Sequence, residues 1–295
     1  MTLSDILRDS STGFRGSLGI SVRHLGTGED ASVNGDEVYP SASVRKIAII
    51  AEAYRQGEAG AFSLDANMVL RHEDKVPGTG ILRELSPGLV ITHRDLISLM
   101  MILSDNTATD YIMGVLGRER INANLKRLGL KRTRIVAGSR AVLFDMIGLD
   151  DLPEEEKTID VFKKRSRGTP MAGSWSAGTK YNNVTTPNEM LELIESIVRC
   201  EGISEESSRA ILETMSRCQT GANRIPKYLP RRVVEVAHKT GSLPGVRNDA
   251  GLITLLETGE RYILSCFTSR AVDDLEAEEA IARVSKGVYD YFTGN

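Results

Sequence analysis

Strand signals stand at the two ends of the chain and helical signals fill the middle, and this order restricts the fold more than any other feature. Residues 18–25 and 31–33 alternate apolar and polar around the turn formers Gly26, Thr27, Gly28, Glu29 and Asp30, the pattern of a β-hairpin. Further strands are predicted at 233–237, 251–256 and 262–267, the last two joined by a turn at 257–260. Helices are predicted at 43–56, 92–103, 107–116, 118–128, 187–199 and 205–218, and an amphipathic helix at 274–292. Two carry cap signals: Thr92 with Asp95, and Thr186 with Pro187 and a capping-box Glu189. Residues 136–183 lose periodicity and read as one long loop holding Trp175, functional or mobile rather than a mere connector. Strands at both ends exclude a repeating βαβ wind and predict an α+β fold. The expectation is a five-stranded antiparallel sheet with terminal helices, plus an all-helical lobe. One unit over 1–295 is expected, its sheet lobe at about 1–40 and 200–295 and its helical lobe at about 41–199.

Composition narrows the function by exclusion. A net charge of −3 gives no electrostatic case for nucleic acid or an anionic membrane, so a small-molecule substrate is the expected partner. No run of apolar residues reaches the length of a membrane span, and the first residues lack a basic, then apolar, export signal. A cytoplasmic location is therefore expected. Cys200, Cys218 and Cys266 are odd in number and share no ligand-like spacing with His24, His72, His93 and His238. They read as ordinary thiols, with neither a disulfide framework nor a metal site, and no cofactor is implied. Oligomeric state leaves no trace in the sequence.

The helix predicted at 43–56 is apolar nearly all round, which marks it as buried, and it begins Ser43, Val44, Arg45, Lys46. A serine and a lysine three positions apart lie on one helix face, so the ammonium is expected against the hydroxyl as a built-in proton acceptor. Burial lowers a lysine pKa toward that of a usable base. Taken singly the tetrapeptide is weak, because a serine ahead of an apolar helix is commonly an N-cap. Two more short motifs give it context. Ser104, Asp105 and Asn106 join two helices, where a hydroxyl can relay a proton and an amide can orient the lysine or a substrate carbonyl. Lys239, Thr240 and Gly241 end a predicted strand, offering an ammonium, a hydroxyl and a bare backbone edge for an extended substrate.

The order Ser-x-x-Lys, Ser-Asp-Asn, Lys-Thr-Gly resembles that of the class A β-lactamases and penicillin-binding proteins, a family of serine hydrolases. The flanks extend the resemblance: Tyr39 to Lys46, Ser104 to Asp110, Val184 to Met190 and His238 to Ser242 each look like a family box, and together they span residue 18 to the C-terminus. The resemblance implies that Ser43 is acylated, Lys46 is its base, Ser104 passes a proton to the leaving nitrogen and Asn106 binds the substrate amide. It further implies that Lys239 and Thr240 engage a substrate carboxylate, that the backbone N–H groups of Ser43 and Ser242 form the oxyanion hole, and that Arg247 is a carboxylate-binding arginine.

One departure bears on the reaction. The family's β-lactamases carry a deacylating acid in a Glu-x-x-Leu-Asn loop, and residues 134–183 hold no such motif. Asp145, Glu154, Glu155 and Glu156 lack the pattern, and the acidic run reads as solvated surface. The expected activity is that of a serine acyl-hydrolase acting on an amide, peptide or ester through acyl-Ser43, with poor penicillin turnover. A true β-lactamase is the rival within the enzymes. A sensor that is acylated by a β-lactam or muropeptide and releases it slowly is the rival from another class.

Overall fold

A computed structural model describes residues 2–167, 169 and 182–294. The chain runs α1 (Leu3–Ser11), β1 (Ser17–His24), β2 (Asp30–Val33), β3 (Tyr39–Pro40), α2 (Lys46–Glu58), β4 (Asn67–Val69), β5 (Val90–Thr92), α3 (His93–Ile102), α4 (Asn106–Leu116) and α5 (Arg118–Arg127). It continues through α6 (Ser139–Met146), α7 (Ile159–Arg165), β6 (Val184–Thr185), α8 (Pro187–Val198), α9 (Glu205–Ser216), β7 (Val234–Leu243), β8 (Val246–Leu255), β9 (Arg261–Ser269) and α10 (Asp274–Thr293). The α+β architecture expected from the sequence is present. The main sheet is five-stranded in the order β2-β1-β9-β8-β7, with antiparallel neighbours throughout.

The pleat of the sheet sorts the core. Along β9, Tyr262, Leu264 and Cys266 face α1 and α10, while Ile263 and Phe267 face the other helices, the period of two expected of a strand. On that second side α2 is buried on every face, from Ile47 through Tyr54, and α8 packs across β1, β8 and β9. Buried polar groups within α2 find partners: Glu52 accepts from Arg55 and from Gln56, whose amide also donates to the Leu116 carbonyl at 3.0 Å. No helix among the described residues is long and apolar enough to cross a membrane.

Several elements differ from their sequence expectation. A 3-10 turn, Ala42–Arg45, precedes α2, so Ser43 lies on that turn and the α-helix starts at Lys46. The loop expected at 136–183 contains α6 and α7, whose short apolar stretches carry little periodicity; Trp175 lies outside the described residues. Thr186 caps α8 as expected, accepting from the Glu189 N–H at 3.1 Å, but the Glu189 carboxylate does not return to the cap. It accepts instead from the backbone N–H groups of Arg132 and Thr133 at 2.8 and 2.5 Å. β7 continues past Ala237 to Leu243, carrying Lys239, Thr240 and Gly241 within the sheet, because β8 pairs with it from Val246 onward.

The early part of β8 holds polar residues that only tertiary partners can satisfy. Asn248, with 0% exposure, donates to the Pro40 carbonyl at 2.7 Å and accepts from the Thr268 N–H at 3.0 Å, tying two strands to the segment that leads into the Ser43 turn. Asn248→Ala leaves a carbonyl and an N–H buried without partners, and is expected to cost about 2–4 kcal/mol of stability. A urea unfolding curve with a lower midpoint and unchanged slope is the expected reading.

Candidate active site

Ser43 is placed by contacts from both sides of its turn. Ser41 donates its N–H and its hydroxyl to the Asn183 carbonyl, at 2.8 and 2.9 Å, and Ala42 takes a left-handed φ of +45°. Strand β7 closes the other side. A Cβ added at Gly241 would lie 2.8 Å from the Ser41 carbonyl oxygen and 3.0 Å from the Ser43 nitrogen, so only glycine lets the strand approach this closely. Ser43 is half-buried and lines a cavity of ≈ 180 Å³ together with Ser104, Asn106, Thr240 and Ser242.

Lys46, with 0% exposure, lies under this cavity. Its Nζ donates to the Ser104 carbonyl at 2.7 Å, to Ser104 Oγ at 3.0 Å and to Asn106 Oδ1 at 3.3 Å. The Ser43 hydroxyl makes no hydrogen bond to another described residue. The hydrogen bonds of the amine thus run to Ser104 and Asn106 and not to Ser43, whose hydroxyl lies on the 3-10 turn just before Lys46. Burial, followed by the charges of Lys239 and Arg45, lowers the Lys46 pKa well below the ordinary lysine value, with Asp105 and Asp110 opposing.

The Ser-Asp-Asn turn is held as rigidly as the nucleophile turn. Asp105 caps α4 through the Ala108 N–H at 3.0 Å and also accepts from the N–H groups of Ile81 and Leu82 at 2.7 and 2.9 Å. This closes the loop at 76–80 over the turn so tightly that a Cβ on Gly80 would lie 2.3 Å from the Asp105 carboxylate. Ser104 consequently sits at a φ of +59°, rare for a non-glycine residue. Asn106 donates its amide to the Pro77 carbonyl at 3.0 Å while its oxygen accepts from Lys46.

On β7, Lys239 has 0% exposure and donates to the Thr240 carbonyl at 2.9 Å; burial, with help from Arg224 and Arg45, lowers its pKa to about 8. Thr240 shares a 2.5 Å hydrogen bond with Thr220. Behind this strand His238 pairs with Asp249 at 2.7 Å. Burial opposes the imidazolium, but Asp249 prevails and raises its pKa to about 10. Cys218 is half-buried, yet it is no ordinary thiol: burial would raise its pKa, but His238, Lys239 and Thr220 lower it to about 6.

Arg247 does not join the other candidates. Its guanidinium donates to Asp274 at 2.5 Å and to the Leu243 and Val246 carbonyls at 2.8 Å each, and it is not among the cavity's lining residues. Arg224 stands there instead. It donates to Ser242 Oγ at 2.6 Å and to the Gly241 and Asn248 carbonyls, with Glu278 at 3.0 Å. Nothing local in the sequence marks Arg224, because strand register and α10 bring its partners to it. No carboxylate lines the cavity among the described residues; α6 presents Ser139, Val142 and Leu143 to it, and Asp145, Glu154, Glu155 and Glu156 lie elsewhere.

An α+β fold that brings a half-exposed serine, a buried lysine and a second hydroxyl to one cavity between sheet and helices belongs to a serine hydrolase. Comparison with known proteins supplies the family: the model of the beta-lactamase enzyme family matches residues 2–292, so the chain belongs to that family and is a β-lactamase-like serine hydrolase. A β-lactamase of Bacteroides uniformis is 28% identical, over 94% of this chain and 87% of its own. A β-lactamase of Phocaeicola vulgatus is 24% identical, over 97% and 84%. Among solved structures, a β-lactamase from Sphaerobacter thermophilus superposes with a TM-score of 0.81 at 25% identity, covering 99% of this chain and 97% of that one. A mutant of PBP-A, solved as an acyl-enzyme complex with penicillin G, gives 0.78 at 26% identity, covering 99% and 96%.

Gly241→Ala tests the geometry. The added methyl must push β7 from the Ser43 turn, and acylation by penicillin G is expected to slow about tenfold or more, while the far-ultraviolet circular dichroism stays that of the wild type.

Proposed function

We propose that the protein hydrolyses a carboxylate-bearing amide, peptide, ester or β-lactam through an acyl-Ser43 intermediate, with acylation faster than deacylation. The observation that carries this reading is the buried, carboxylate-free amine of Lys46, one turn on from Ser43 and bonded to Ser104 and Asn106. Neutral Lys46 takes the Ser43 proton as the hydroxyl attacks, and the Ser104 hydroxyl passes a proton to the departing nitrogen or oxygen. The oxyanion is received by the backbone N–H groups of Ser43 and Ser242. Asn106 binds the substrate amide, and Gly241 offers its backbone edge. Lys239 and Thr240 hold the substrate carboxylate on the leaving side, with the charge of Arg224 beside them. Arg247, tied to Asp274, is left out of this assignment.

No carboxylate lines the cavity among the described residues to activate water for deacylation, and the stretch at 168–181 contains no Asp or Glu that could supply one. A positioned general base contributes about 10²–10⁴ in rate, so hydrolysis of the adduct is expected to lag by that order. Penicillin G should add one intact equivalent to the wild-type mass and none to Ser43→Ala, with slow turnover of a chromogenic cephalosporin. Fast turnover without accumulated adduct would favour the efficient β-lactamase, and absence of any adduct or turnover would sink the acyl-serine mechanism.

The pH dependence follows from the two lysines. Acylation requires Lys46 neutral, so its rate rises with pH through the depressed pKa of that amine. It requires Lys239 charged, so the rate falls again above about 8. Stopped-flow acylation by penicillin G is expected to trace a bell with this alkaline limb, and Lys239→Arg to move the limb upward.

A further inference from the structure

Two arginines line the cavity, and they differ in how they are balanced. Arg224 has Glu278 at 3.0 Å. Arg45, with 6% exposure, has no ion pair among the described residues. Its Nη1 donates to the Ala42 carbonyl at 2.8 Å and its Nη2 to Ser139 Oγ at 2.9 Å, while its buried Nε has no acceptor. A guanidinium carries five N–H donors, so three of Arg45's lack an acceptor among the described residues. Asp110 is the nearby carboxylate, but its two oxygens accept from the Ser139 and Arg140 N–H groups at 2.6 and 2.8 Å. The stretch at 168–181 has no acidic residue to offer. A buried cation with idle donors at a cavity wall is the complement of an anion that arrives with the ligand.

We propose that Arg45 is an anion subsite for the acyl half of the substrate, so that the enzyme prefers acyl donors with a carboxylate on the residue that becomes attached to Ser43. The inference rests on the acyl-Ser43 reading. In that reading Lys239 and Thr240 take the carboxylate on the leaving side, with the charge of Arg224 beside them. The part of the cavity where Arg45 bonds Ser139 of α6, lined also by Val142 and Leu143, is left to the acyl side. Val142 and Leu143 pack the aliphatic stem of such a side chain while Arg45 receives its end.

The test uses an isosteric pair, Nα-acetylglutamyl and Nα-acetylglutaminyl thioglycolate, each as D and L forms. Thiol release reports acylation, and both leaving groups carry the same carboxylate. Wild type is expected to react with the better glutamyl isomer about tenfold or more faster than with its glutaminyl counterpart at low salt, and the ratio to shrink at high salt. In Arg45→Met the ratio should fall to within about twofold of one; any accompanying change in the Lys46 pKa acts on both esters alike and cancels. Equal rates in the wild type, or a ratio that survives Arg45→Met, overturn the subsite. If Arg45→Met does not fold, the wild-type ratio and its salt dependence decide. Thioesters that fail to react while penicillin G labels Ser43 overturn the subsite alone; failure of both reagents overturns the acyl-Ser43 mechanism and the subsite with it.

Discussion

An amine with no exposed surface and no carboxylate against it sets the terms for everything around Ser43. Desolvation makes the charged form of Lys46 costly, and each acceptor it meets is neutral: the carbonyl and hydroxyl of Ser104 and the amide oxygen of Asn106. Lys239 and Arg45 push in the same direction by charge repulsion. A group in that position gives up its proton far more readily than a surface lysine does. Such burial needs walls. The all-round apolar α2 supplies them below, and the Ser-Asp-Asn turn closes them above.

Those walls are strained where they meet. Ala42 and Ser104, flanking the amine from the nucleophile turn and from the relay turn, both have positive φ, a conformation that costs of order 1–3 kcal/mol for a non-glycine residue. Each is held by contacts that leave little choice. Asp105, with three backbone N–H groups on its carboxylate, acts as a bracket between α4 and the loop at 76–80, while Asn183 and the bare edge of Gly241 hold the other turn. Chemistry-bearing and structural residues therefore alternate in these short motifs: Ser104 and Asn106 face the cavity because Asp105 faces away.

What was legible in the sequence follows the range of the interactions involved. Thr92 and Thr186 cap their helices through contacts three residues long, so the sequence marks those starts; the hairpin turns are equally local. The start of α2 was not legible, because the 3-10 turn is imposed by Asn183 and β7, both distant in sequence. The full length of β7 and β8 was hidden for the same reason. Arg247, Asn248 and Asp249 break the apolar alternation, and their partners Asp274, Pro40 and His238 appear only on folding. In the candidate site, the three motifs marked Ser43, Lys46, Ser104, Asn106, Lys239 and Thr240, but not where the hydrogen bonds of the amine run, and the family resemblance offered Arg247 where the fold brings Arg224.

The charges around Ser43 connect the choice of base to the choice of substrate. Arg45 and Arg224 line the cavity with Ser43, Lys239 acts on the Lys46 amine beside it, and the imidazole of His238 behind them is held charged by Asp249, although the whole chain carries a net charge of −3. The positive field is therefore local to the cavity. In the proposed mechanism it stabilises the oxyanion as it develops and draws in carboxylates. In the same field a carboxylate of the protein would be held ionised at a low pKa and paired with Arg45, which leaves it a weak acceptor for a proton from water. Repulsion from neighbouring cations has the opposite effect on an amine, lowering its pKa toward neutrality and making it available as a base. In the proposed mechanism a lysine base, a cavity that no acid lines among the described residues and an anionic substrate are thus parts of one electrostatic arrangement, with slow release of the acyl group as its expected consequence.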